Sequence, residues 1–392
     1  MKNLSSPSSR MGSVDPDGYG SGWWPALRAD VRDRRRGERA KANARRGFLL
    51  PPRGEGKVVW FKAGGSRESV LLACELLGAL RERRIDVRLA LTFEHDYADV
   101  IEPRVRGLRK IGLGYGPGDR PAAVGNVMRR LNPFGLVLVD TQPYPNLLSG
   151  AARAGTHLVA FNTPAADTGV EAAYPCDASQ AKAWRDAGTA QYVAEPADPL
   201  ALFVEAQADT TLRSLAAAGR GELKLWWWHG PVAAAGDFVR RWRSSPLATG
   251  GVLFLSSDEG DASAVADLNI SRWNREPLPE GSVVAVDDLR WTAAVASAID
   301  AGHLQAAARR TAWQALAGNS AISFGANRTV AAADDENATL TDADAVLREW
   351  QTLHSEPVEA RRRGDAGRRR FWEERRRAQK VMDEFLQRAF DW

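Results

Sequence analysis

At 392 residues, with 44% apolar and 26% charged side chains, the chain reads as an ordinary globular protein long enough for two or more cores. No window of eighteen uncharged apolar residues occurs, the start lacks a continuous apolar h-region, and two cysteines, Cys74 and Cys176, make no disulfide framework, so a cytoplasmic protein without a membrane-spanning helix is expected. The net charge of +4 conceals two arginine concentrations, at 28–53 and 361–380, which point to an anionic surface as partner or else to solvated helix faces.

Residues 1–22 are rich in Ser, Gly, Pro and Asp, and the whole of 1–56 reads as a disordered, basic N-terminal segment. Within it Trp23 and Trp24 precede the first arginine run. Such an order suits indoles at a headgroup layer with arginines on anionic lipid, although paired tryptophans also dock onto a protein's own core.

From residue 57 the texture changes. Apolar runs at 58–63, 87–93, 136–140 and 157–161 predict strands, and the segments 69–84, 121–131 and 147–154 predict helices. Strand and helix in alternation with short links imply a parallel sheet wound by right-handed crossovers. Helices over 179–188 and 199–218 lead to a second series of strands at 223–228, 251–255, 283–286 and 321–324. The predicted fold class is therefore α/β, with two Rossmann-like lobes, 57–205 and 206–392, facing a central cleft. The chain ends in an amphipathic helix with Ala378, Val381, Met382, Phe385 and Ala389 on one face and Arg375, Arg376, Arg377, Lys380 and Arg388 on the other.

Two stretches have the makings of a site. The run 136–139 is closed by Asp140, and Pro143 and Pro145 forbid the strand to continue, which leaves Asp140, Thr141, Gln142 and Asn146 at a strand's C-terminal lip. The same residues also make an ordinary capped turn. Gly64-Gly65-Ser66-Arg67-Glu68 follows the first strand and opens a helix, so its N–H groups and the positive helix end suit an anionic group. It is neither a P-loop nor a dinucleotide fingerprint. Read alone, Glu68 is a first-turn acid complementing the dipole; the sharper reading makes it a general base.

No Gly-x-Ser-x-Gly elbow is present, and His95, His157, His229, His303 and His354 have no ligand spacing, so neither a serine nucleophile, a metal nor any other cofactor is expected. His229-Gly230 ends a predicted strand and either faces a ligand or simply turns. Trp226-Trp227-Trp228 places indoles on both faces of that strand, for which core packing is the default.

Taken in order, these landmarks resemble the 3-deoxy-D-manno-octulosonic acid (Kdo) transferases. Trp60-Phe61-Lys62-Ala63-Gly64-Gly65-Ser66-Arg67-Glu68 resembles their Trp-Ile-His-Ala-x-Ser-x-Gly-Glu, with Glu68 on the family's glutamate. Gly116-Pro117-Gly118-Asp119-Arg120-Pro121 resembles their Pro-x-Asp-x-Pro, Asp140-Thr141-Gln142-Pro143-Tyr144-Pro145-Asn146-Leu147 their Glu-Thr-Glu-Leu-Trp-Pro-Asn-Leu, and the tract 179–188 their Gln-Ser-x-x-Asp-Ala segment. The resemblance implies a GT-B glycosyltransferase that transfers Kdo from CMP-Kdo to a lipid A precursor at the inner face of the cytoplasmic membrane, with Glu68 as base and Gly65, Ser66, Arg67, Asp140, Gln142 and Asn146 around the substrate. His229 and Gln314 fall in the donor lobe. Partners implied are a nucleotide-sugar donor, a glycolipid acceptor and an anionic membrane met by the basic N-terminal segment; nucleic acid ranks behind these.

The departures are specific. Asp140 and Gln142 replace two glutamates, Asn162-Thr163-Pro164-Ala165-Ala166 lacks the family's arginine, 253–259 lacks its Arg-His pair, and only Gln314 stands near its Gly-Gly-His-Asn-Pro-Leu-Glu-Pro motif. A non-catalytic two-lobed binding or scaffold protein that has lost its donor site is the alternative.

Overall fold

The computed structural model describes residues 17–204, 223–258, 270–273, 278–286, 295–296, 298–327 and 339–392. They form two compact units, one made of residues up to 175 with 179–195 and 385–392, the other of 176–178 and 196–384.

The first unit carries a seven-stranded parallel sheet: β1 (Val58–Ala63), β2 (Arg88–Phe93), β3 (Ile111–Tyr115), β4 (Pro133–Val139), β5 (His157–Phe161), β6 (Val170–Tyr174) and β7 (Ala190–Val193), in the order β3-β2-β1-β4-β5-β6-β7. Every side chain of β1 is buried, as a central strand covered on both faces requires. The crossovers include α3 (Arg67–Arg83), α4 (Ala98–Val105), α5 (Pro121–Leu131), α6 (Pro145–Arg153) and α7 (Ala178–Ala187). Asn132, in the left-handed region at φ 43°, stops α5, and Pro133 then opens β4 at the one strand position where its missing N–H does no harm.

The basic N-terminal segment differs from the expectation of disorder. Residues 1–16 lie outside the described residues, but α1 (Trp23–Arg35) and α2 (Arg39–Arg45) are helices. Arg45 is fully buried and donates to Asp30 at 2.7 Å and also to Asp33. Burial works to raise the Asp33 carboxyl, but hydrogen bonds from Arg45 and Arg32 outweigh it and hold the group below its ordinary range. Charge that looked solvated is thus an internal network. Trp23 and Trp24 do not enter a core; they are 58% and 62% exposed.

The second unit is built on β8 (Lys224–His229), β9 (Gly251–Ser256), β10 (Ser271–Arg272), β11 (Val283–Ala285), β12 (Ala301–Ala306) and β13 (Ala321–Asn327), all parallel, in the order β10-β11-β9-β8-β12-β13. Helices α8 (Val232–Arg243), α9 (Arg309–Ala317) and α10 (Ala343–Ser355) accompany them. The three tryptophans of β8 are core residues: Trp226 stacks on Trp350 and Trp228 on Phe238, while Trp227 points to the other face and donates to Ser256 at 2.8 Å. Of the helix expected over 199–218, the described part is a short 3-10 turn, Pro199–Phe203; residues 205–222 lie outside the description.

The terminal helix α11 (Pro357–Phe390) buries Ala378, Val381, Met382, Phe385 and Ala389 as its pattern predicts. From Phe385 onward the chain belongs to the first unit, so the last segment is not wholly part of the second lobe, and the division falls at 195/196 rather than 205/206. Phe385 meets Phe161 edge-on at 5.4 Å, and Trp392 stacks on His157 at 5.4 Å. Two cations placed on the polar face are tied down: Arg375 donates to the Ala201 and Val204 carbonyls, and Arg388 to the Tyr174 hydroxyl. Among the described residues no helix is long and apolar enough to cross a membrane.

Candidate active site

In the first sheet the winding reverses between β1 and β4, and their C-terminal ends form the lip at which open α/β sheets take ligands. The two loops are pressed together there. Gly64 donates to the Val139 carbonyl at 3.2 Å, and a Cβ on Gly64 would fall 2.3 Å from the Asp140 carbonyl oxygen, so only glycine fits. Gly65 follows, half-buried, its carbonyl accepting from the Tyr97 hydroxyl at 3.0 Å. Ser66 caps α3, accepting from Ser69 N–H at 3.0 Å. Arg67 pairs with Asp99 and lies over the Tyr97 ring. Glu68 sits in the first turn of α3, half-buried.

Across the lip Asp140 takes a left-handed conformation at φ 47°, which ends β4, and its carboxylate accepts from Asn162 Nδ2 at 2.9 Å. Gln142 is exposed, its carbonyl accepting from Tyr144 N–H at 3.0 Å. Asn146 is committed locally: its side chain donates to the Asp119 carbonyl at 2.7 Å, and Asp119 in turn accepts from Leu147 N–H at 2.8 Å. Burial outweighs these hydrogen bonds and leaves the Asp119 carboxyl above its usual range. The hydroxyl of Thr141 is buried with no hydrogen-bond partner among the described residues.

Sequence reasoning missed the most buried charge at this lip. Lys62 is 1% exposed; its Nζ donates to Glu94 Oε1 at 3.0 Å and stands 4.2 Å from the centre of the Tyr144 ring. The Tyr144 hydroxyl donates to the same Oε1 at 2.6 Å, and Tyr19 donates to the Glu94 carbonyl at 3.1 Å. The other oxygen, Oε2, lies 3.2 Å from where a Gly65 Cβ would be. The available signals were a lysine inside an apolar strand and an acid directly after β2.

The second unit has its own lip, where the winding reverses between β8 and β12. His229 is buried, with Nδ1 at 2.7 Å from Ser256 Oγ and Nε2 at 3.0 Å from Asp258 Oδ2. Asp258 also accepts from the backbone N–H of Ala308 at 2.5 Å, at the start of α9, and from the Thr311 hydroxyl at 3.0 Å. Burial works to raise this carboxyl, but the His229 contact and the other hydrogen bonds hold it below the ordinary range. Gln314 is buried within α9, beside Trp313, whose indole N–H donates to Asp198 at 2.9 Å. Glu68, Gly65, Ser66, Arg67, Asp140, Gln142 and Asn146 are thus brought to one lip, and His229 to the other. Among the described residues no cluster of His, Cys, Asp or Glu is arranged to hold a metal.

Residues 36–172 match the family described as 3-Deoxy-D-manno-octulosonic-acid transferase (kdotransferase), which bears out the resemblance read from the ordered landmarks. No curated protein matches the chain. Similar solved structures include HepE of Anabaena in complex with UDP-glucose, at 10% identity and TM-score 0.57, covering 85% of this chain and 100% of that one. MnaA of S. aureus with UDP has 9% identity and TM-score 0.55, covering 79% and 91%, and MurG of Acinetobacter baumannii has 11% identity and TM-score 0.51, covering 85% and 100%. At such identities the likeness is one of fold, two Rossmann-like α/β lobes of the GT-B type, as the alternation of strands and helices predicts.

Proposed function

We propose that this chain, whose residues 36–172 match the Kdo-transferase family, is an inverting glycosyltransferase that moves a sugar from CMP-Kdo or a related nucleotide donor to a lipid A-like glycolipid at the inner face of the cytoplasmic membrane. The observation that carries this reading is Glu68, half-buried in the first turn of α3 at the β1–β4 lip. The positive end of a helix favours a carboxylate, and the Thr141 hydroxyl, without a partner among the described residues, leaves polar capacity at the same lip for a ligand. Glu68 takes the proton of the acceptor hydroxyl as that oxygen bonds to the anomeric carbon, while the bond from that carbon to the CMP phosphate oxygen breaks and the phosphate leaves with the electron pair. The donor would lie against the second lip, with His229 and Gln314 near the nucleotide. Helix α1, with Trp23 and Trp24 exposed among arginines, would hold the protein at an anionic bilayer.

The test is incubation of purified protein with CMP-Kdo and other activated sugars and acidic glycolipid acceptors, read by mass spectrometry. Wild type should transfer a sugar, and Glu68→Ala should lose roughly a hundredfold or more in rate. Equal turnover by both removes Glu68 from the mechanism, and no transfer from any donor overturns the transferase reading.

One observation favours the second reading, a binding protein without donor chemistry. Asp258 already occupies the N–H at the start of α9, the kind of position that suits a donor phosphate. Calorimetry with CMP and UDP separates the two: binding heat that disappears in His229→Ala supports a working donor pocket, and no heat supports its loss.

A further inference from the structure

A separate concavity of about 460 Å³ lies in the second unit, at the end of the sheet opposite His229. It opens where β8, β12 and β13 begin: Lys224 and Trp226 stand at the start of β8, and Ala301 and Ala321 are the first residues of β12 and β13. Its far wall comes from the α10–α11 junction, with Leu353, Pro357 and Ala360. The floor of the hollow is therefore mixed, with Asn319, Ser320 and His354 beside the apolar Ile299, Leu353 and Pro357, and it is backed by the buried Trp226, which stacks on Trp350 at 5.3 Å.

The rim is cationic. Lys224, Arg361 and Arg368 line it together with one carboxylate, Asp300, which accepts the Leu225 N–H at 2.8 Å and stands 4.0 Å from Lys224 Nζ. Arg361 and Arg368 lie two helical turns apart on α11 and so share a face. Among the described residues neither guanidinium has an ion-pair or hydrogen-bond partner, although their neighbours Arg362 and Arg363 are both paired with Glu359. Two guanidinium groups with no counter-charge among the described residues, at the rim of a partly apolar hollow, match a compact dianion attached to a small flat body, and forked guanidinium groups fit phosphate oxygens in particular.

The geometry points to a second ligand site here, one that binds a small phosphomonoester with an aromatic body, its phosphate held by Lys224, Arg361 and Arg368 and its ring against the exposed His354 and Pro357. The site is independent of the transferase reading, since none of these residues belongs to either lip described above.

Phenyl phosphate and inorganic phosphate serve as probes on the full chain, by calorimetry at matched ionic strength with sodium chloride as control. Phenyl phosphate should bind roughly tenfold more tightly than inorganic phosphate, because its ring is buried. The double variant Arg361→Ala, Arg368→Ala should bind it at least about tenfold more weakly. Both positions are exposed, so the unliganded melting temperature should not move. In NMR titrations the His354 ring, which lines the hollow, should shift while those of His229 and His303 stay in place. His229→Ala should leave this binding unchanged, which separates its fate from that of the donor pocket. An equal response to chloride, full binding by the double variant, or an unmoved His354 overturns the proposal. So does binding confined to phosphatidic-acid vesicles with none to phenyl phosphate, which would make the arginines a lipid contact instead.

Discussion

The carboxylate of Asp258 accepts the backbone N–H of Ala308 at 2.5 Å, and so fixes the start of α9 to the end of β9 across fifty residues of chain. The same carboxylate holds Thr311 and His229, which makes it the hub of the second lip. Asp258→Ala should cost about 1–3 kcal/mol by releasing these donors, at the lower end because the side chain is 34% exposed. Urea denaturation of the two proteins measures it. The pH dependence has a definite sign. A carboxyl held below its unfolded value contributes stability that is present above that value and is lost as pH falls through the folded one. The difference between wild type and variant should therefore be flat near neutrality and shrink below about pH 4.

Lys62 and Glu94 make the corresponding test in the first unit. Removing one member of a buried pair leaves an uncompensated charge, so Glu94→Ala should cost about 3–5 kcal/mol, with the Lys62 ammonium left against the rings of Tyr144 and Tyr19. The double variant Lys62→Met, Glu94→Ala should regain much of that loss. A double-mutant cycle in urea decides it: additive losses would show that the pair is not coupled.

Which parts were legible in the sequence follows from the range of the interactions. Strands β1 and β4 are visible because every residue of 58–63 except Lys62, and every residue of 136–139, is apolar, as burial on both faces demands. Strand β3, Ile-Gly-Leu-Gly-Tyr, escapes notice because its two glycines weaken the pattern, and β12 because Gly302, His303 and Gln305 interrupt it. Ser66 and Glu68 are readable as a local cap and first-turn acid. Glu94 is not, since its meaning lies in Lys62, 32 residues earlier, and Tyr144, 50 residues later. The N-terminal segment misled for a related reason: composition counts Arg45, Asp30 and Asp33 as solvated charges, whereas two helices fold them into one buried network.

Helix α1 presents Trp23, Trp24 and Val31 to solvent while Ala26, Ala29, Asp30 and Asp33 face inward. Exposed indoles beside Arg28, Arg35 and Arg36 should partition to anionic vesicles but not to neutral ones. Trp23→Ala with Trp24→Ala should lower vesicle binding in sedimentation by roughly tenfold without altering the melting temperature, and raised salt should weaken what remains. Binding that is indifferent to both lipid charge and the indoles would rule out this face.

His303 supplies an acid-side signature distinct from that of the carboxylates. It is fully buried on β12, between Ser323 Oγ at 3.0 Å and Gln305 Oε1 at 2.9 Å, and burial pushes its imidazole down to about 4, outweighing the opposing Gln305 contact. The folded protein then holds His303 neutral where the unfolded chain would already have protonated it. Stability from this group is complete above the ordinary histidine value of about 6.5 and declines as pH falls from there toward about 4, by a total of about 3 kcal/mol. His303→Gln keeps a polar partner for Ser323 and cannot titrate, so it should be less stable than wild type at pH 7 and lose that deficit progressively on acidification. Melting temperatures of the pair at half-unit steps from pH 7 to pH 4 check this, and a gap that stays constant across the window would mean that His303 takes up its proton as readily in the folded protein as in the unfolded chain.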